Sequence, residues 1–171
     1  DKKNNKGFCK VLIVNSGNAN AFTGKKGLNS ITKYAKFAAK IFKCKLNEIL
    51  VSSTGVIGEQ LDISKIIKKL PYCNNAKDKN LLSAAKAIMT TDTFPKTSVK
   101  KIKIGSEEVK IFGFAKGSGM IFPNMGTMLA FVFIEANLSK NNLKKIIDLH
   151  LDKSFNSISV DGDTSTNDTL M

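Results

Sequence analysis

Lys116-Gly117-Ser118-Gly119-Met120-Ile121-Phe122-Pro123-Asn124-Met125-Gly126-Thr127-Met128-Leu129 is a glycine-rich loop that passes through a proline turn into a threonine at the head of an apolar run. A threonine hydroxyl is a poor nucleophile without a base. Were the bond before Thr127 cut, the freed α-amino group, which titrates near pH ~8, would sit on the same residue as the hydroxyl. By its chemistry alone the stretch reads better as a glycine-rich connection into a buried strand, with Thr127 an ordinary β-branched strand residue. Its neighbours in the chain decide between the two.

Downstream, 127–134 reads as a strongly apolar strand, 139–149 as a helix with Leu143, Ile146 and Ile147 inward, and 157–160 as a further strand. Upstream, 99–104 and 109–114 alternate with period two about Gly105-Ser106, a hairpin signal. Residues 80–89 form a helical pattern with Leu81, Leu82, Ala85 and Ile88 inward, and 62–70 a short helix stopped by Pro71. Before these come a strand at 49–53, an amphipathic helix at 28–45 with Asn29 or Ser30 as its cap, and a short apolar strand at 11–14. The mixture predicts an α/β fold with helices packed around β-sheets in a layered sandwich.

A chain of 171 residues that is 42% hydrophobic can bury one core, and no composition shift marks a second domain. The formal net charge of +13 would point toward nucleic acid. All 27 basic residues are lysine, however, and the arginines that specific readers use against guanine and phosphate are missing. Lys33, Lys36, Lys40 and Lys43 recur on the wet face of a helix, opposite Ile31, Ala35, Ala38 and Phe42. No nucleic-acid partner is therefore expected. Cys9, Cys44 and Cys73 are odd in number and lack metal-ligand spacing, which suits reduced thiols and a cytoplasmic location without a metal. No apolar run is long enough to span a membrane. The chain opens on Asp1, so an organellar targeting segment ahead of it stays open.

Four further blocks accompany the quoted stretch. Asn15-Ser16-Gly17-Asn18-Ala19-Asn20-Ala21 with Thr23-Gly24, and Ser53-Thr54-Gly55-Val56-Ile57-Gly58, each follow a predicted strand. The others are Ala87-Ile88-Met89-Thr90-Thr91-Asp92-Thr93, and Ser154-Phe155-Asn156 with Val160-Asp161-Gly162-Asp163-Thr164-Ser165-Thr166-Asn167-Asp168. In this order the five blocks resemble the ornithine acetyltransferase family, the glutamate N-acetyltransferases of arginine biosynthesis. They cover nearly the whole chain. The resemblance implies a self-cleaving, N-terminal-nucleophile-like fold, of which 1–171 is an internal part of one catalytic domain. Residues 1–126 would end a first (α) chain and 127–171 would begin a second (β) chain.

The resemblance further implies autocleavage at Gly126-Thr127 and Thr127 as nucleophile. It implies Thr54 and Gly55 as the oxyanion hole, and Lys116, Thr127 and either Thr90 or Thr91 as substrate contacts, with Thr90 preferred. Gly126 departs from the family's usual alanine. Acetyl would pass from N2-acetylornithine to Thr127 and then to glutamate, with no cofactor. Acetyl-CoA is left open as a second acetyl donor. The assembly implied is a heterotetramer of two α and two β chains.

Other readings are weaker. Asp161 to Asp168 imitates a calcium loop, but an EF-hand needs glycine where Thr166 stands, so a turn-forming role fits better. Ser30-Ile31-Thr32-Lys33 and Ser98-Val99-Lys100-Lys101 match Ser-x-x-Lys, without the partner motifs of that enzyme class. His150 lies on a predicted helix far from any nucleophile motif. A self-cleaving amidase or aminopeptidase of related fold, and a non-enzymatic lysine-rich module that grips an anion, are the alternatives.

Overall fold

The computed structural model describes residues 7–75, 80–121 and 128–171, which form a mixed α/β structure. It divides into two compact units, Asp1–Lys79 and Asn80–Met171.

In the first unit, β1 (Val11–Asn15) and β2 (Ile49–Ser53) pair in parallel, with Val11 opposite Ile49 and Asn15 opposite Ser53. Parallel neighbours need a crossover, and α1 (Gly24–Ile41) supplies it. Ala35 and Ala38 of α1 meet Ile49 of β2 and Leu70 of α2 (Ile63–Asn75), with Val11, Ile13, Phe37 and Ile66 packed around them. The four lysines Lys33, Lys36, Lys40 and Lys43 are exposed, as the amphipathic pattern requires.

Two boundaries differ from the sequence reading. The first helix starts at Gly24, with Thr23 rather than Asn29 or Ser30 at its cap position. Gly27, outside the helix expected at 28–45, lies within it and serves close packing: a Cβ there would lie 1.9 Å from Thr23 Oγ1. The helix ends at Ile41 because Lys43 turns left-handed, at φ 48°. Pro71 does not stop α2 but lies inside it. It sits on the exposed side, next to Leu70, which is buried in the core. Burial on one face thus carries the helix past the hydrogen bond that proline cannot make.

The second unit is built on a four-stranded sheet of order β3-β4-β5-β6. β3 (Lys96–Ile104) and β4 (Glu107–Lys116) form the expected hairpin about Gly105-Ser106. β5 (Leu129–Ile134) runs antiparallel to β4, and β6 (Thr169–Leu170) parallel to β5. Phe112 stacks on Phe133 at 5.0 Å and Phe114 meets Phe131 at 5.3 Å, so aromatic pairs lock the β4–β5 register. That register sets Lys116 opposite Leu129. The quoted stretch is therefore the connection between two neighbouring strands.

The helix α3 (Leu81–Ala87) is capped by Asn80, whose Oδ1 accepts the Leu82 N–H at 2.8 Å. Ala85 and Ile88 are buried as expected, whereas Leu82 faces outward. Ser139 caps α4 (Lys140–His150) by accepting the Asn142 N–H at 3.2 Å. Its apolar side was expected inward, yet Leu143 and Ile146 are 44% and 46% exposed. The strand expected at 157–160 is replaced by a 3₁₀ turn at Phe155–Ser157 and bends. Val160 instead donates one backbone hydrogen bond to Ile121 at 2.8 Å. Cys9, Cys44 and Cys73 are free thiols. Among the described residues, no helix is long and apolar enough to cross a membrane.

Candidate active site

In the first unit, two of the five blocks are the loops that leave the ends of the two parallel strands, and they zip together. Thr54 N–H donates to Asn15 O at 3.1 Å, Val56 N–H to Gly17 O at 3.3 Å, and Ala19 N–H to Val56 O at 2.9 Å. Side chains reinforce the seam, with Ser53 Oγ on Asn15 Oδ1 at 2.7 Å and Asn15 Nδ2 on Asn18 O at 2.8 Å. Thr54 is only 1% exposed. Gly55 has φ +129°, and a Cβ added there would lie 2.3 Å from the Gly17 carbonyl carbon. Only glycine meets both conditions. A threonine and a glycine are thus fixed together at a strand end, a position from which a rigid scaffold presents side chains and backbone donors.

In the second unit, Thr90, Thr91 and Lys116 come together. Lys116 ends β4 with 2% exposure, and its Nζ donates to Thr90 Oγ1 at 2.8 Å. Thr91 Oγ1 and Ser118 Oγ share a hydrogen bond of 2.8 Å. A buried ammonium needs opposite charge nearby, and Asp92 supplies it, with Oδ2 3.9 Å from Lys116 Nζ. Asp92 Oδ1 also accepts Lys96 Nζ at 2.6 Å and the Gly117 N–H at 2.7 Å. Burial pushes the Asp92 carboxyl up, but Lys96 and the Gly117 and Thr90 N–H groups outweigh it and hold it below the usual carboxylate range. Burial pulls Lys116 below the usual lysine range, with Asp92 opposing and Lys96 adding to the shift. The third block and the start of the quoted stretch are therefore one electrostatic unit centred on Asp92.

Asp92 was missed as a site residue. The signal was Lys116 itself, closing the apolar run Ile111-Phe112-Gly113-Phe114-Ala115, where a strand buries its end and a lysine there demands a counter-ion. A groove of about 410 Å³ on the same sheet is lined by Lys96, Ile111, Gly113, Ala130 and Val132 among others, and includes none of Thr90, Thr91 and Lys116.

Gly126 and Thr127 lie outside the described residues. On either side of them, the acidic loop of the last block holds the chain. Asp161 accepts the Met120 and Ile121 N–H groups at 2.6 and 3.0 Å, and Asp168 Oδ1 accepts the Met128 N–H at 2.7 Å. The Met120 hydrogen bond leads the effects that hold Asp161 below the usual carboxylate range, while burial pushes Asp168 above it. The turn-forming role expected of this loop understates it, since its bonds reach across the fold to the quoted stretch.

A model of the ArgJ family matches residues 1–171. The chain is 51% identical over 166 residues to the arginine biosynthesis bifunctional protein ArgJ of Bartonella henselae, and 49% identical over 166 residues to that of Bradyrhizobium diazoefficiens. Each match covers 96% of this chain and 40% of the relative, so the chain spans about two fifths of the length of the curated relatives it matches. Its fold resembles the crystal structure of the arginine biosynthesis bifunctional protein from Bacillus halodurans, with TM-score 0.58 and 37% identity over 66% of this chain and 60% of that one. It also resembles ornithine acetyltransferase from Mycobacterium tuberculosis, solved in complex with ornithine, with TM-score 0.53 and 28% identity over 66% of this chain and 61% of that one.

Proposed function

Because the chain belongs to the ArgJ family, we propose that it carries the nucleophile, the oxyanion donors and part of the substrate site of an acetyltransferase that moves acetyl from N2-acetylornithine to glutamate. The observation that carries the reading is the buried Lys116 ammonium bonded to Thr90 and backed by Asp92. Such a fixed cation beside a hydroxyl suits the carboxylate of an amino-acid substrate.

In maturation, Thr127 Oγ attacks the Gly126 carbonyl, the bond from that carbon to Thr127 N breaks, and the hydroxyl proton ends on the nitrogen. Water then hydrolyses the ester and frees the amine. In turnover that amine takes the hydroxyl proton while Oγ attacks the acetyl carbonyl of N2-acetylornithine. Ornithine leaves with a proton on its nitrogen, and the glutamate amine takes the acetyl from the threonine ester. Thr54 and Gly55 face the oxyanion formed at each attack. Removing one such donor costs about 10²–10³ in kcat, so Thr54→Ala should lower kcat by roughly that factor with a smaller change in KM, as steady-state kinetics would register.

The direct test is to incubate the full-length protein with N2-acetylornithine and no glutamate, then map the peptides by mass spectrometry. One acetyl group on the peptide that begins at Thr127, discharged when glutamate is added, is the expected result. Discharge to water at the same rate with or without glutamate would favour an amidase. Acetyl-CoA offered in place of N2-acetylornithine tests for the second donor. Two copies of each chain in a heterotetramer, the assembly that accompanies this reading, would give a four-chain mass by native mass spectrometry.

A further inference from the structure

Tyr34 lies on α1 and is wholly buried, at 0% exposure. The next residue, Ala35, and Ala38 one turn on join Ile49 and Leu70 in the apolar cluster of the first unit, to which Tyr34 does not belong. Among the described residues, the Tyr34 hydroxyl is the one buried side-chain oxygen or nitrogen that makes no hydrogen bond. A buried phenol normally finds a partner, and an unpaired one disfavours the fold. Phenylalanine would fill the same space without that penalty, so packing does not account for the hydroxyl.

The side chain that bears on the hydroxyl is Ser53, at the end of β2. Burial pushes the phenol up to about 12 while Ser53 opposes the shift, so Tyr34 is protonated near neutral pH. Ser53 has one hydroxyl proton and gives it to Asn15 Oδ1 at 2.7 Å, so toward Tyr34 it can only accept. Asn15 Nδ2 in turn donates to Asn18 O at 2.8 Å, and Asn15 O accepts the Thr54 N–H at 3.1 Å. A path with one direction of donation thus runs from Tyr34 through Ser53 and Asn15 into the seam that holds Thr54. Gly55 is held there too, since a Cβ on it would lie 2.3 Å from the Gly17 carbonyl carbon. We propose that Tyr34 is a positioning residue, whose hydroxyl closes on Ser53 as the oxyanion develops and, through Ser53 and Asn15, tightens the seam that sets Thr54 and Gly55. The proposal rests on the reading of Thr54 and Gly55 as the oxyanion donors. Tyr34 itself touches no reacting atom and gives up no proton.

An interaction completed only as charge develops raises kcat and leaves substrate binding alone. A structural role makes the opposite forecast, because removing an unpaired buried hydroxyl should leave the fold as stable or more so, with no kinetic effect. Steady-state kinetics of the full-length protein, transferring acetyl from N2-acetylornithine to glutamate, separate the two when Tyr34→Phe, Thr54→Ala and the double variant are compared with wild type. Tyr34→Phe should lower kcat by roughly tenfold with KM within about twofold, and its melting temperature should equal or exceed that of wild type. In the Thr54→Ala background the same change should alter kcat by less than about twofold, since the group it positions is gone. Wild-type kcat in Tyr34→Phe would overturn the proposal alone. So would a fall in kcat that comes with a fall in melting temperature, or an equal fall in both backgrounds. Thr54→Ala with wild-type kcat would overturn the oxyanion reading and the proposal with it.

Discussion

In the proposed substrate site, Lys116 is the buried cation and Asp92 is its counter-charge. Burial lowers the pH at which the ammonium gives up its proton, the neighbouring Asp92 carboxylate opposes that shift without cancelling it, and Lys96 adds to it. Asp92→Asn removes the restoring charge, so KM for N2-acetylornithine should begin to rise at lower pH than in wild type when kinetics are followed from about pH 7 to 10. The same change should cost roughly 3 kcal/mol of stability at neutral pH, since it leaves a buried ammonium without its counter-charge. Asp92 is held below its unfolded value, so the stability it contributes is present above about pH 3.9 and is lost as pH falls through the lower folded value. Urea melts of wild type and Asp92→Asn should therefore converge in acid. Lys116 and Thr90 were legible in the sequence because motif order marked them. Asp92 was not, because its importance comes from a contact with Lys116 that only the folded chain makes.

At the scale of elements, the strands were more legible than the ends of helices. β1, β2 and the β3–β4 hairpin follow apolar runs and a two-residue turn, and local pattern suffices for those. Where tertiary contacts decide, pattern misled: Gly27 is helical because it packs on Thr23, and Pro71 is tolerated because its neighbour Leu70 is buried. Replacing Pro71 by alanine restores a helical N–H at an exposed position and should raise stability by up to about 3 kcal/mol, read from urea unfolding. The opposite holds where two loops close on each other. Gly55→Ala adds a Cβ to a left-handed residue against the Gly17 backbone, and should cost about 1–3 kcal/mol while displacing the donor assigned to the oxyanion. Residues 157–160 alternate like a strand, yet their segment spends its polar groups on the β4–β5 connection, with Val160 on Ile121 and Asp161 on Met120 and Ile121. A period-two pattern does not reveal which partner a backbone will choose.

Over the whole molecule, the five motif blocks are not scattered decoration on an α/β scaffold. Two close on each other in the first unit, and three meet in the second, where Asp92 holds Gly117, and Asp161 and Asp168 hold the residues that flank 122–127. The fold class was legible from the alternation of periods, and the candidate site residues were proposed from the order of the blocks. The way each block braces another was hidden in side-chain to backbone bonds that span up to 41 residues of chain. In the second unit, Asp161 and Asp168 hold residues on either side of the stretch that contains Gly126 and Thr127, where the proposed cut lies. Intact mass spectrometry of the full-length protein tests that most directly. Two chains are expected, the second beginning at Thr127, with a single inactive chain for Thr127→Ala; an undivided wild-type chain that still forms N-acetylglutamate from N2-acetylornithine would contradict cleavage at Gly126-Thr127.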